Sequence, residues 1–315
     1  MTNQDQLHDL MGSMRDSKKK FDELIEPHRS ALWNYCKMIT CSPWDAEDLV
    51  QETLLKAYSA LPRIFQPMIP KSYLFRIATN TWLNQQRRVE PVYAEEIGYE
   101  EPVLVQDPLE TREAMAHLII HLSPKQRVAI LLFDVFRFKA KEVAEMLNTT
   151  EGGVKSCLRR ARINLKKIDD KSLHPSTKPD ESKVATPKII DAYLDAFNRR
   201  EPDAIAQLLD NEAENDIVNT SFEYGKETIR KHSLEGWARD PMPMVASYIE
   251  LWGKPIVVVK TKVDGVEHVY DLIELQIVDD KITQKRDFYF CQDLLDEAAK
   301  ELDLPVHKNG YIYQG

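Results

Sequence analysis

LSPKQRVAILLFDVFRFKAKEVAEMLNTTEGGVKSCLRRARINLKK, from Leu122 to Lys167, reads as a helix, a short second helix, a tight turn and a last helix with basic residues down one side. Ser123 is placed to cap the first helix, with Pro124 at its first position and Gln126 reaching back to close a capping box. Ala140, Val143, Ala144 and Leu147 make a short apolar face, and Asn148-Thr149-Thr150 supply the turn and the next cap. In the last helix Val154, Leu158, Ala161 and Leu165 share one face, while Lys155, Arg159, Arg162 and Lys166 fall on another, roughly a quarter-turn away. A lone amphipathic helix reads as a solvated surface face. The short helix and capped turn ahead of it change that reading to a helix-turn-helix. Its apolar seam packs on its own domain, and its cationic stripe is built for phosphates and base edges in a major groove.

Working outward, a chain of 315 residues predicts two or three domains, and a 43% apolar fraction is enough for real cores. No run approaches the roughly 18 apolar residues of a membrane span, and the polar start MTNQDQLHDLMGSMRD does not read as a signal peptide, so a cytoplasmic protein is expected. Cys36, Cys41, Cys157 and Cys291 form no CxxC pair and lack histidines at zinc-ligand spacing, so neither a disulfide framework nor a metal site is expected. No cofactor signature is read. The net charge of −9 is uneven: residues 1–175 hold 25 Lys+Arg against 24 Asp+Glu, and residues 176–315 hold 17 against 27, or +1 against −10. The acidity therefore belongs to the C-terminal part and does not exclude nucleic acid as a partner of the first.

Residues 18–88 are helical in pattern, and residues 89–108, VEPVYAEEIGYEEPVLVQDP, read as an acidic, Pro-punctuated linker. Asp107, Pro108 and Glu110 open a second helical block over 109–168, and 169–185 is a second polar linker. Thr186-Pro187 begins a third block, 186–315, with helical text to about Leu209. Three strand-like runs follow, KPIVVVKTKVD, VEHVYDLIELQIVDD and KITQKRDFYF, with Asp264-Gly265 as a hairpin turn between the first two. A final helix and an irregular tail close the chain.

In the first block, Ser42-Pro43 caps a helix in which Asp45, Asp48 and Glu52 make an acidic stripe. By itself that stripe reads as a solvated face tuned to the helix dipole. The next helix, PKSYLFRIATNTWLNQQRR, puts Arg76, Asn80, Leu83 and Arg87 on one face, with Trp82 and Arg88 near by. Basic, amide and aromatic groups interleaved in this way suit distorted or single-stranded DNA, although Phe75 and Trp82 read as core residues.

Together these pieces resemble a bacterial RNA polymerase sigma factor of the extracytoplasmic-function (ECF) group, over about residues 20–168 and in the family's order. DAEDLVQETLLKAY is similar to that family's polymerase-docking helix, SYLFRIATNTWLNQQRR to its −10-reading helix, and Leu122–Leu165 to its −35-reading domain. The resemblance implies that Asp45, Asp48, Gln51 and Glu52 contact core RNA polymerase. It places Arg76, Asn80, Arg87 and Arg88 at the −10 element of promoter DNA, and Lys155, Ser156, Arg159 and Arg160 at the −35 element. Gly152-Gly153 depart from the pattern, costing about 2 kcal/mol of helix propensity at the start of the recognition helix.

The remaining block resembles the SnoaL-like, NTF2-like fold, a helical half against a curved antiparallel sheet forming a cone with an interior pocket. The expected architecture is thus multidomain: two all-α sigma domains, the second a helix-turn-helix, followed by an α+β SnoaL/NTF2-like domain. The resemblance makes Tyr193, His232, Trp237, Asp271 and Asp287 candidate pocket residues. Asp271 and Asp287 lie in strand-like runs, where an inward carboxylate is poised as acid or base, but a regulatory surface or ligand-sensing pocket is favoured over catalysis. The implied function is promoter recognition without chemistry of its own, regulated by contact of the acidic domain with the sigma domains. Two rivals are a ligand-responsive helix-turn-helix regulator and a SnoaL-like isomerase or cyclase with a helical appendage. Neither needs the 42–88 block.

Overall fold

Ser42 starts the second helix: its side chain accepts from the Asp45 N–H at 3.2 Å, with Pro43 at the first helical position. In this computed structural model, which describes residues 3–66, 68–89, 122–166 and 187–308, the chain divides into two units, residues 1–175 and 176–315. The expected linkers, the Asp107-Pro108-Glu110 helix start and Thr186 lie outside the described residues. No helix among the described residues is long and apolar enough to cross a membrane.

The first unit is helical. Helices α1 (Asn3–Thr40), α2 (Pro43–Ala60) and α3 (Pro70–Val89) pack around buried Leu32, Tyr35, Ile39, Val50, Leu74 and Ala78. Two buried polar pairs are satisfied inside this core, Tyr35 with Thr79 at 2.6 Å and Trp33 Nε1 donating to Glu47 at 3.0 Å. Helix α4 (Pro124–Ile130) opens with the expected cap, Gln126 Oε1 accepting from the Ser123 N–H at 3.3 Å. It then widens into a π-helical turn, Leu131–Val135, closed by the Phe136 N–H on the Leu131 carbonyl at 2.9 Å. That turn sends Phe136 and Phe138 against Phe75, with ring centroids 5.2 and 5.0 Å away, so the two helical blocks share one aromatic cluster.

Helices α5 (Ala140–Met146) and α6 (Glu151–Lys166) complete the helix-turn-helix. Between them Asn148 takes a φ of 50°, and Thr150 Oγ1 accepts from the Gly153 N–H at 3.1 Å, the expected turn and cap. Val154, Leu158 and Ala161 are buried as expected, but Ile163 joins them where Leu165 was expected, and Leu165 is half-buried.

The second unit is α+β. Its helix α7 runs Lys188–Asn198, so Pro187 is the residue before the helix rather than its first member. Helix α8 (Pro202–Leu208) leads into a sheet of six strands where the sequence reading names three. They are β1 (Leu209–Ile217), β2 (Ser221–Tyr224), β3 (Met244–Leu251), β4 (Lys254–Val263), β5 (Val266–Val278) and β6 (Lys281–Asp287), in the order β2-β1-β6-β5-β4-β3. The expected wholly antiparallel sheet is mixed, because β1 and β6 run parallel. The last expected strand ends at Asp287, and Phe288–Phe290 lie beyond it. Between β2 and β3 come two short helices, α9 (Lys226–Ile229) and α10 (Glu235–Arg239), joined by a π-helical turn, Arg230–Leu234. The β4–β5 turn is Asp264-Gly265, with φ of 49° and 84°. Trp252-Gly253 and Asp279-Asp280 turn the β3–β4 and β5–β6 hairpins with positive φ at both residues, as tight two-residue hairpins require. Helix α11 (Gln292–Glu301) packs against β5. The helical half covers the sheet around Ile190, Tyr193, Ile205, Val257, Val259 and Ile282, the α-on-sheet architecture expected of the SnoaL-like, NTF2-like class.

Candidate nucleic-acid interface and pocket

Helix α2 presents Asp45, Asp48 and Glu52 on its outer face. Asp45 and Asp48 are exposed, and Glu52 is half-buried because Lys56 (2.6 Å) and Gln85 of α3 (3.0 Å) both donate to it. The three carboxylates line one groove of about 370 Å³ with Leu49, Trp82 and Gln85. Gln51 is held differently, since its Nε2 donates to Glu47 at 3.0 Å. Glu47, 1% exposed, thus ties Trp33 of α1 to Gln51 of α2, a role sequence reading missed because Glu47 sits next to an acidic stripe that looks uniformly solvated.

Of the residues grouped for the −10 element, Arg76, Asn80 and Arg87 are exposed on α3. Arg87 donates to the Leu83 carbonyl (3.3 Å) and to Asn84 (2.8 Å). Arg76 also lines a cleft with Glu142 and Glu145 of α5. Leu83, expected on the same face, is 7% exposed and belongs to the core. Trp82 and Phe75 are buried, as expected of core residues. The side chain of Arg88 lies outside the described residues.

In the recognition helix Lys155, Ser156, Arg159 and Arg160 are all exposed. Arg162 leaves the cationic stripe, because it donates to Asp134 at 2.8 and 3.1 Å and so anchors α6 to the π-helical turn. Of the two glycines, Gly153 has a reason in the turn. A Cβ on Gly153 would stand 2.4 Å from Thr149 Oγ1, whereas one on Gly152 would meet nothing closer than 3.8 Å. From α4, Arg127 reaches the first three helices, donating to the Ile39 carbonyl at 2.7 Å with its guanidinium 5.5 Å from the Trp82 ring centre.

The second unit holds a cavity of about 190 Å³ between α7, α10 and the sheet. Four of the five pocket candidates, Tyr193, Trp237, Asp271 and Asp287, line it. His232 does not: the π-helical turn carries it outward, and it is exposed. Lys285 was missed. It stands two residues before Asp287 on β6, on the same face, and donates to Asp287 and, at 3.4 Å, to Asn215 Oδ1. Strand β1, which carries Asn215 inward, was missed because LDNEAENDI is polar at nearly every position.

A bulge sets the pocket's contents. Val259 pairs with Asp271 and Lys260 with Val269, so Tyr270 is the extra residue of β5. Strict alternation would send neighbouring Tyr270 and Asp271 to opposite faces, yet both line the cavity. Burial pushes the Asp271 carboxyl well above the usual carboxylate range. Asp287 adds to that shift, and Lys285 and the backbone N–H groups of Leu272 and Phe288 oppose it. Burial also raises the Tyr193 hydroxyl, helped by Asp287 and Asp271. Among the described residues no group of His, Cys, Asp and Glu side chains is placed to hold a metal ion.

Comparison with known proteins bears on the first unit. Residues 24–90 match the Sigma-70 region 2 family and residues 112–165 match the family Sigma-70, region 4. The ECF RNA polymerase sigma factor SigG of Mycobacterium tuberculosis is 32% identical over 223 residues, 61% of this chain and 60% of that protein. The chain therefore spans about three fifths of that relative's length. SigM of the same organism is 28% identical over 160 residues, 50% of this chain and 82% of SigM. Among solved structures, the M. tuberculosis extracytoplasmic function sigma factor SigJ is 20% identical, covering 85% of this chain and 95% of that one, with a TM-score of 0.31. The chain is thus similar to ECF sigma factors, with sigma-70 region 2 and region 4 sequences in that order.

Proposed function

We propose that this chain is a sigma factor that binds core RNA polymerase, directs it to a two-part promoter and helps open the DNA. One observation carries the reading: region 2 and region 4 sequences occur in order, at 24–90 and 112–165, on helices that hold the charged groups such a task needs. Asp45, Asp48 and Glu52 share a groove on α2 and are assigned to polymerase, with Gln51 beside them. Arg76, Asn80, Arg87 and Arg88 are assigned to the −10 element. Lys155, Ser156, Arg159 and Arg160 are assigned to the −35 element, where arginines pair with phosphates and guanine edges. The protein works in the cytoplasm and carries out no chemistry of its own.

The second unit regulates this activity within the same chain. Its charge of −10 beside +1 for the first part supports competition with DNA or polymerase for the basic and polar faces of α3 and α6. An operator-binding regulator that works without polymerase would leave residues 24–90 without a task.

The test is run-off transcription with purified core polymerase on fragmented genomic DNA. The full chain is expected to start transcripts at defined sites. The double charge reversal D48K/E52K should lower polymerase affinity tenfold or more while leaving the melting temperature unchanged. Absence of specific starts, or full activity in the double variant, sinks the assignment. Truncation after Lys171 should change run-off yield or promoter affinity; unchanged values would remove the regulatory part alone.

A further inference from the structure

The cavity of the second unit contains hydrogen-bonding capacity that the chain leaves unused. Tyr193 is fully buried and its hydroxyl has no partner, and the indole N–H of Trp237, also buried, has none. Both residues line the cavity. An orphaned buried donor costs roughly 1–3 kcal/mol, so two facing one hollow is an expensive arrangement for a purely structural core. By contrast, the neighbouring polar groups are satisfied: Asn215 Nδ2 donates to Glu223 (3.0 Å) and Ser233 (3.1 Å), and Tyr270 donates to Asp240 (3.0 Å).

The rest of the lining limits what can enter. Phe197 lies against Trp237 with ring centres 4.6 Å apart, and Leu234, Met244, Val259 and Ile273 complete apolar walls. A dry apolar cavity of ~150 Å³ takes up benzene, so 190 Å³ accommodates one ring or two fused rings with a small substituent. On the floor Lys285 offsets the charge of Asp287, and burial favours the protonated form of the Asp271 carboxyl. A carboxylate guest would lose its hydration and face Asp287, so a neutral one is favoured.

We propose that this cavity binds a neutral aromatic compound of one or two rings bearing a carbonyl or phenolic oxygen, which accepts the hydrogen bonds that Tyr193 and Trp237 do not make within the chain. The ring stacks among Phe197, Trp237 and Tyr270. The Tyr193 hydroxyl, held un-ionised by its burial, keeps its proton to donate. This inference does not depend on the sigma-factor reading, because it concerns occupancy of the second unit alone.

Equilibrium dialysis of the full chain against 2-naphthol, 1-tetralone, naphthalene and 2-naphthoate tests it. The two neutral oxygenated probes should bind one per chain and at least tenfold more tightly than naphthalene or 2-naphthoate. Tyr193→Phe and Trp237→Phe should each weaken 2-naphthol and 1-tetralone by about fivefold, the worth of one hydrogen bond, and leave naphthalene unchanged. If circular dichroism finds Tyr193→Phe unfolded, Trp237→Phe decides, since that residue is only half-buried. The proposal fails if no oxygenated probe binds below 1 mM, if naphthalene or 2-naphthoate binds equally well, or if neither variant changes the affinity.

Discussion

In α6, helix periodicity alone puts Lys155, Ser156, Arg159 and Arg160 into solvent, while in the second unit Asp271, Lys285 and Asp287 are buried and placed by strand register. The two kinds of site respond differently to change. An exposed arginine on a capped helix can be removed with little effect on folding. A buried carboxylate cannot be altered without changing the stability of the unit around it. Function and stability should therefore separate in the first unit's outer faces and couple in the second unit's interior.

Four tests sharpen or break that contrast, in falling order of effect. Phe75→Ala should cost about 3–5 kcal/mol in the first unit, because it empties the centre of the ring cluster with Tyr35, Phe136 and Phe138. Calorimetry should show the first transition falling sharply, and an unshifted transition would mean the cluster carries little of the fold. Removing Arg159 and Arg160 together should weaken −35 DNA binding by about 2–4 kcal/mol and flatten its salt dependence, with melting unchanged. A fall in melting temperature as large as the loss of affinity would break the contrast.

Asp271→Asn comes third, and its effect follows pH. The native carboxyl titrates above its unfolded value near ~3.9, so its contribution to stability is complete below that pH and is lost as pH rises through the folded value. The asparagine variant has no such loss. It should match the wild type near pH 4 and melt higher than it at pH 8; the opposite trend would mean that the fold lowers the Asp271 titration below its unfolded value. Smallest is the glycine pair. Gly152→Ala should gain up to about 1 kcal/mol of helix propensity, and Gly153→Ala distinctly less, because Thr149 occupies the space. Equal gains from both, measured by urea denaturation, would show that Thr149 simply turns aside.

The helix-turn-helix was legible because its signals are local. Ser123, Gln126, Thr150 and the seam Val154–Leu158–Ala161 each act within a turn or two of helix, and all appear as read. What sequence could not supply was anything set by distant pairing. Arg162 looked like part of the basic stripe until Asp134, 28 positions earlier, was found beside it. Strand β1 is polar because its inward Asn215 belongs to a buried network with Lys285 and Ser233, so no hydrophobic alternation marks it. His232 was named from the resemblance alone, and it lies exposed on the π-helical turn Arg230–Leu234. Lys285 was the recoverable miss, since its i, i+2 relation to Asp287 within a strand-like run was already visible.

The extra residue at Tyr270 also constrains how this unit can diverge. Deleting it would leave β4 and β5 perfectly laddered and cost few backbone hydrogen bonds. Yet a ring would vanish from the hollow while every flanking side chain kept its identity. At this point in the chain, insertions and deletions, more than point substitutions, are the currency in which the pocket's chemistry would be rewritten.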